Sequence, residues 1–510
     1  MSEAREATKK GESGQNEAVF SFSFNQAVKL RGETSNITAN AGVLLLREID
    51  QRLGITQDIA GQLHDDRQSE STRYPLTELL RIRTYGIALG YARQDDADFL
   101  AHDPAFKTAV WDKAGDKVAN ERLASQPVAS RFVAALAQPE NLEILHDTLS
   151  LPLIRHQQAK DGEGRVKVGV IDIDAWPITT HGKQPGAAYN GYYKDTVYAP
   201  FGAFFSVNGD FNSRRLGEGF IGGMLRNGDA GPAEGAKEFI TRMAGKAGQL
   251  AQTVALRVDA AFASSELLNH MDQLGCRFTS RLPENAALYR LAEPYLARSP
   301  GRPPKEGREF AMELKGYRNP KWDKDYRVIL VVIDKPDKHG NMPLFPRYFF
   351  IVTNWPPESR TPWEMVEHYR DRGTFEDRVG EWNSLGVKLS QDDFSKNEAT
   401  LLLSLLAFNF LEILRGETES ARDPRPSAPY TPEDGGWDQG RLRNVLLKTG
   451  AVLIRGGRRL WFDLSEGLMP LWRAVLSRVE RWAPVFRPPL SGGHFRPLPA
   501  HAFTSYTPRL

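Results

Sequence analysis

A single cysteine in 510 residues is the sharpest absence in this sequence. Cys276 has no second thiol, which excludes an intramolecular disulfide and a multi-cysteine zinc site and suits a reducing compartment. No apolar run approaches the ~18–20 residues that span a bilayer. Met1 to Glu17 is polar and charged with no apolar stretch, so a secretory signal is not expected there and a soluble, cytoplasmic protein without membrane attachment is. Net charge is nearly absent too, since 66 Lys and Arg against 64 Asp and Glu leave +2. A chain-wide polyanion binder would carry more. What is present is ordinary globular composition, 41% apolar and 25% charged, which excludes a fibrous or wholly disordered chain. The length predicts two to four domains.

Charge is uneven along the chain. Between Arg441 and Arg487 ten basic residues face three acidic ones, and between Arg298 and Arg347 twelve face seven. Solvated surface explains either run, and so does a grip on phosphate backbone at two margins of a neutral body.

Hydrophobic periodicity divides the chain. Val43, Leu44, Leu46, Ile49 and Leu53 form a helical stripe, as do Leu76, Leu79, Leu80 and Ile87, so the first 150 residues or so read as mostly helical. From Val168 the period shortens. Strands are expected over Val168–Asp174, Tyr198–Val207 and Phe220–Leu225. A helix over 233–252, a strand over 254–258, a helix over 264–274 and a strand over 277–282 follow. That order predicts a mixed sheet covered by helices, an α/β fold. Strand-like runs over 309–314, 327–333 and 348–352 interrupt the alternation, the first two reading as a β-rich insertion. Pro362 to Trp382 reads as one helix, and Leu401–Leu414 as a core helix too short to cross a membrane.

Acidic residues end the apolar strands. Asp172 and Asp174, two apart, share one strand face, and Asp259 closes Leu256-Arg257-Val258. Each can simply cap the turn after it. The third element is a helical stripe: Tyr369, Arg372, Glu376 and Asn383 stay within roughly 60° of one another at ~100° per residue. A phenol, a guanidinium, a carboxylate and an amide make a poor core stripe. Phosphodiester chemistry has a use for the set. Hard carboxylate oxygens hold two Mg²⁺ ions, which activate the attacking oxygen and stabilise the leaving one, while Arg and Tyr hold flanking phosphates.

The order Asp174, Asp259, Glu376, with Tyr369-x-x-Arg372-x-x-x-Glu376, resembles DDE transposases of bacterial insertion sequences, and more narrowly the branch marked by a Tyr-Arg-Glu-Lys signature. The intervals of 85 and 117 residues are similar, the longer one holding the insertion. So are His181-Gly182-Lys183-Gln184, Leu225-Arg226-Asn227-Gly228 and Leu123-Ala124-Ser125-Gln126-Pro127 with Ser130-Arg131-Phe132. Two positions depart. The lysine seven residues after the glutamate is Asn383, with Lys388 five further on as a substitute, and a frequent Asp-x-Thr is Asp174-Ala175-Trp176.

The resemblance implies a ribonuclease-H-like core with a β-rich insertion, flanked by helical N- and C-terminal regions. The expected division is a largely disordered tail (1–40), a helical DNA-binding region (41–160) and the first part of the core (161–290). The insertion (291–346), the last core strand with the glutamate helix (347–416), a loop (417–440) and a basic helical region (441–510) follow. It implies metal-dependent nicking at element ends and transfer of the freed 3′-hydroxyl into target DNA. The implied partners are double-stranded DNA, as terminal inverted repeats and target, and a second copy of the chain, in the bacterial cytoplasm at the nucleoid. Asp174, Asp259 and Glu376 become ligands of two Mg²⁺, with Mn²⁺ able to substitute and Asp172 the alternative to Asp174. Tyr369, Arg372, Asn383 and Lys388 become DNA contacts. Trp355, which by its position after the last inserted strand reads as a packing or turn residue, becomes one candidate for a surface on which an extruded base stacks. A catalytically silent DNA-binding descendant is the alternative, favoured by Asn383. His339 and His368, lacking metal-ligand spacing, read as solvated loop or surface residues.

Overall fold

The computed structural model describes residues 36–483 except 68–71, 113–117, 119–120, 162–164, 208–216, 299–305, 422–435 and 457–458, together with the backbone of three strands before residue 36. Those strands, β1 (Ala7–Lys10), β2 (Asn16–Phe22) and β3 (Asn25–Leu30), form an antiparallel sheet inside the segment expected to be a disordered tail. The rest of that expectation up to residue 35 lies outside the described residues. The architecture is mixed α/β, 46% helical and 20% strand, consistent with a ribonuclease-H-like fold.

After β4 (Ile37–Thr38) the chain runs through helices α1 (Val43–Leu53), α2 (Ile55–Ala60), α3 (Leu76–Ala88), α4 (Asp96–Leu100), α5 (Pro104–Val110), α6 (Gln126–Leu136), α7 (Pro139–Thr148) and α8 (Leu151–Asp161). Proline sits in the first turn of α5, α6 and α7, where no intrahelical N–H is needed.

An eight-stranded sheet follows, built from β5 (Val166–Ala175), β9 (Phe201–Val207), β10 (Gly219–Met224), β11 (Ala251–Val258), β12 (Arg277–Leu282), β13 (Arg308–Glu313), β14 (Arg327–Asp334) and β15 (Arg347–Thr353). Its order is β10-β9-β5-β11-β12-β15-β14-β13. β5, β11 and β12 run parallel through the crossover helices α9 (Ala236–Leu250) and α10 (Ser265–Gln273), and the remaining pairings are antiparallel. Alternation sorts the side chains. Ile171, Ile173, Leu256 and Val258 pack with α9 and α10, while Val170 and Ala255 pack on the opposite face with Met365 and Val366.

The β-rich insertion is not a unit of its own. β15 pairs with β12 through one edge and with β14 through the other, so β14 and β13 extend the core sheet. Four of its basic residues are held in ion pairs, Arg298 and Arg308 with Asp334, Arg327 with Glu313 and Lys335 with Glu309. A small sheet, β6 (Ile178–Thr179), β7 (Ala188–Asn190) and β8 (Asp195–Tyr198), ordered β6-β8-β7, stands between β5 and β9. Helix α11 (Ala286–Leu296) follows β12.

The expected single helix from Pro362 is divided. Thr361 and Glu364 form a reciprocal capping box that starts α12 (Pro362–Arg370). A 3₁₀ turn over Asp371–Gly373 then leads into α13 (Thr374–Asn383). The core helix is longer than its apolar run indicated: α14 spans Phe394–Ser420 because its interrupting polar residues are internally partnered. Asn409 bonds the backbone of Phe220, and Glu412 and Arg415 pair with each other. An 18-residue window of α14 has mean hydropathy 1.5, enough for a bilayer span, yet that window is 100% buried within the protein. It packs against α1, α3, α6, α7, α8 and β10, joining the N-terminal helices and the sheet in one core.

The C-terminal region is not purely helical. After α15 (Gln439–Leu442), β16 (Ala451–Gly456) and β17 (Arg459–Leu464) form a hairpin that β4 extends, before α16 (Met469–Glu480) docks on α14. Alternating burial of Ala451 and Leu453 against exposed Val452 and Ile454 marks a half-covered strand.

Candidate active site

Parallel pairing of β5 and β11 aligns Ile173 with Val258, bringing Asp174 and Asp259 to the same sheet edge. Asp259 accepts the Ala261 N–H at 2.9 Å, capping a 3₁₀ turn over Ala260–Phe262, and Phe262 anchors that turn in the core. Capping uses one oxygen of Asp259. Asp174 Oδ1 accepts the Ala175 N–H at 2.8 Å and Oδ2 accepts Arg372 Nη1 at 2.6 Å.

Arg372 lies in the 3₁₀ turn between α12 and α13. Burial weakens its charge, but Asp174, Tyr369 and Asp259 outweigh that and raise its pKa. Burial pushes the Asp174 carboxyl up, Arg372 pulls it back, and the Asp259 charge pushes it up again. The Tyr369 phenol is raised by burial, with Arg372 opposing and Asp259 adding. Asp174, Asp259, Arg372 and Tyr369 therefore form one electrostatic unit. Beside it a cavity of about 330 Å³ is lined by Arg281, Phe349, Tyr369, Arg370 and Arg372. Arg370 is paired with Glu309, and Arg281 stands 5.3 Å over the Phe349 ring.

Asp172 is differently placed. Arg257, 0% exposed and its register partner on β11, donates Nε and Nη2 to the two Asp172 oxygens at 2.7 and 2.6 Å. A third donation, Nη1 to the His368 carbonyl at 2.9 Å, ties this pair to α12. Asp172 is thus a closed buried ion pair and a poor alternative ligand.

Glu376 lies exposed in the first turn of α13. Among the described residues no three His, Cys, Asp or Glu side chains converge closely enough to hold a metal ion. Asp174 and Asp259 fit a divalent cation by donor chemistry, being hard oxygens whose mutual repulsion a cation relieves. Glu376 is not gathered with them, and the side chain that reaches Asp174 from this segment is Arg372. α13 itself is well anchored: Phe375 packs on Trp176, Trp382 Nε1 donates to Ser404 at 2.9 Å, and Glu381 binds Arg378 and Arg415 at 2.8 Å each. Asn383 ends α13 exposed, and Lys388 is exposed in the loop beyond.

Two expectations need correction. Trp355 is 8% exposed, packed among Val170, Ile351 and Met365 with Arg360 5.2 Å over its ring. Neither ring face is open to an extruded base. His368 is buried edge-on to Trp355 rather than solvated, and burial with the charges of Arg257 and Arg360 depresses its pKa to about 2. His339 is exposed in the β14–β15 loop.

Sequence reasoning missed Tyr193. Its phenol, in the β7–β8 turn, is raised by burial and further by the charge of Asp174, with Asp259 adding, so it shares the electrostatics of the two aspartates. The signal was present in Tyr189-Asn190-Gly191-Tyr192-Tyr193-Lys194, an aromatic and basic run in a loop. The Ser125–Arg131 motif also has a physical role: Gln126 donates to Ser130 at 2.9 Å, Ser130 bonds Gln94, and Gln94 donates to Gln391 at 3.2 Å. It links α6 to the loop after α13.

A family model described as Transposase DDE domain group 1 matches residues 20–483 of the chain. No curated protein matches it.

Proposed function

Because the chain belongs to the family Transposase DDE domain group 1, we propose that it nicks DNA at the ends of an element and joins the freed 3′-hydroxyl to target DNA, as insertion-sequence enzymes with a Tyr-Arg-Glu-Lys signature do. The observation that carries this reading is the pair Asp174 and Asp259 at adjacent parallel strand ends, with Arg372 bonded to Asp174.

In the nicking step water attacks phosphorus, the P–O3′ bond breaks, and the leaving oxygen takes a proton to become the 3′-hydroxyl. In the joining step that hydroxyl attacks a target phosphorus and displaces another 3′-oxygen. Divalent cations, Mg²⁺ with Mn²⁺ as a substitute, would supply Lewis-acid charge at the attacking and leaving oxygens. Asp174 and Asp259 are the proposed ligands, and Glu376, exposed on α13 and apart from them in the free chain, is proposed to complete the set once DNA is bound. Arg372 turns its planar guanidinium from Asp174 towards a backbone phosphate, whose two non-bridging oxygens suit its fork. Tyr369 donates its hydroxyl to the same phosphate, and Arg281 holds the next from across the cavity. Asn383 and Lys388 are the proposed contacts further along the strand. Bringing two ends to one target needs two such sites, which a homodimer on DNA would supply.

The test uses a plasmid bearing the inverted repeats that flank the reading frame. The wild type should cut it with Mg²⁺ and not with EDTA. Asp259→Ala and Glu376→Ala should bind the repeat without cutting. A wild type that binds but never cuts would establish the silent DNA-binding alternative instead.

A further inference from the structure

The hairpin between β5 and β9 is built more firmly than a connecting loop needs. β6 begins four residues after Asp174, and β8 runs into β9, whose Gly202 pairs with Asp174. Both legs are therefore rooted at the strand end that carries the aspartate. The turn Gly191-Tyr192-Tyr193-Lys194 is organised by Asn190, whose side-chain oxygen accepts the Tyr192 N–H at 3.0 Å and whose carbonyl accepts the Lys194 N–H at 2.7 Å. Among the described residues Lys194 is the one non-glycine with a left-handed backbone, at φ 56°. Such a conformation persists where its surroundings over-determine it.

The Leu225–Gly228 motif supplies the backing. Asn190 Nδ2 donates to the Gly228 carbonyl at 2.8 Å, and a Cβ on Gly228 would come 2.0 Å from the Val197 carbonyl oxygen. Only glycine lets the two backbones meet so closely. This effort presents Tyr192 at 88% exposure, its ring 5.0 Å from that of Tyr193, whose phenol feels the charges of Asp174 and Asp259. Lys194 is exposed in the same turn, Lys183 is exposed in the β6–β7 loop, and Asp195 accepts a hydrogen bond from Thr179 at 3.1 Å.

We propose that the β7–β8 hairpin is a stacking platform for an unpaired DNA base beside the cut, with Tyr192 as the face on which the base rests. Its place beside a cut rests on the transposase reading above. A rigid aromatic next to basic side chains suits a splayed single strand, because every base has a π-face and stacking needs no sequence match. Trp355, buried, cannot serve.

The experiment measures binding of the full chain in EDTA to two duplexes, one blunt and one with a four-nucleotide single-stranded 3′ tail carrying 2-aminopurine. The wild type should bind the tailed duplex about tenfold tighter than the blunt one, with quenching of the probe, as one stacked base provides. Tyr192→Ala should lose most of that preference and the quenching, while Tyr192→Phe keeps both and blunt-duplex binding stays unchanged. Equal binding of the two duplexes by the wild type, or an unchanged preference in Tyr192→Ala, would overturn the proposal. Since the readout needs no cleavage, a protein that stacks the base but never cuts would count against the catalytic reading alone.

Discussion

Asp172 and Asp174 stand two residues apart on one face of β5, and an arginine grips each, yet the two pairs are built for opposite ends. The Arg257–Asp172 pair, at 0% and 3% side-chain exposure, is fully desolvated, and the same guanidinium also holds the His368 carbonyl. The Arg372–Asp174 pair, at 19% and 19%, is joined through one guanidinium nitrogen. A closed pair locks α12 to the sheet. An open pair can be exchanged for a ligand. One strand thus carries a structural carboxylate and an available one, and what separates them is how many of their oxygens and donors are already committed.

The sharpest break of this comparison is to remove each carboxylate in turn. Asp174→Ala should cost on the order of 10³-fold in cleavage, if the metal contributes about 4 kcal/mol to the transition state, while leaving the melting temperature close to wild type. Asp172→Ala should destabilise by about 3–5 kcal/mol by stranding Arg257, and Asp172→Leu with Arg257→Met should recover most of that loss. Calorimetry and single-turnover cleavage on the same preparations decide it. Equal loss of stability in both single variants would erase the distinction.

A smaller effect is expected from Arg372→Lys, which keeps the charge but loses the fork. Cleavage should fall roughly 10–100-fold with little change in metal affinity, since a lysine cannot reproduce a bidentate phosphate hold. Recovery of the rate by excess Mg²⁺ would mean that Arg372 acts through the metal ligands instead.

The smallest effect is on pH dependence. Asp174 is raised above its ordinary 3.8 by burial, so it is neutralised at higher pH than a free carboxylate as acid is added. Cleavage needs the carboxylate and should fail on the acid side correspondingly early. Arg372 lowers the Asp174 pKa, so Arg372→Gln should move that acid limb to still higher pH. A limb that stays put would show that another group controls it.

Much of this was legible in the sequence where chemistry coincided with periodicity. Asp174 and Asp259 ended apolar runs, and the i, i+3 spacing of Tyr369 and Arg372 put both beside them. The rest depended on register and packing. Arg257 was in plain view between Leu256 and Val258, but only the alignment of β5 with β11 sets it opposite Asp172. The 3₁₀ turn at Asp371–Gly373 breaks the even angular spacing that the stripe through Glu376 assumed. His368 reads as a surface residue because the partners that bury it, Trp355 after β15 and Arg257 on β11, are not its neighbours in sequence. The β16–β17 hairpin was hidden because its strands are six residues each and carry apolar residues on both faces, Val452 and Ile454 opposite Ala451 and Leu453, so no clean alternation marks them.

α14 also has a consequence for how the chain is made. The helices α1 to α8 end at Asp161, whereas the helix that completes their core begins at Phe394, roughly 230 residues later. At ~5–20 residues per second of synthesis, the N-terminal helices emerge about 12–45 s ahead of their packing partner. During that interval Leu80, Tyr85 and Phe132, all buried in the finished protein, have no α14 to cover them. The core that the N-terminal helices share with the sheet edge at β10 is therefore closed only after α14 has been made.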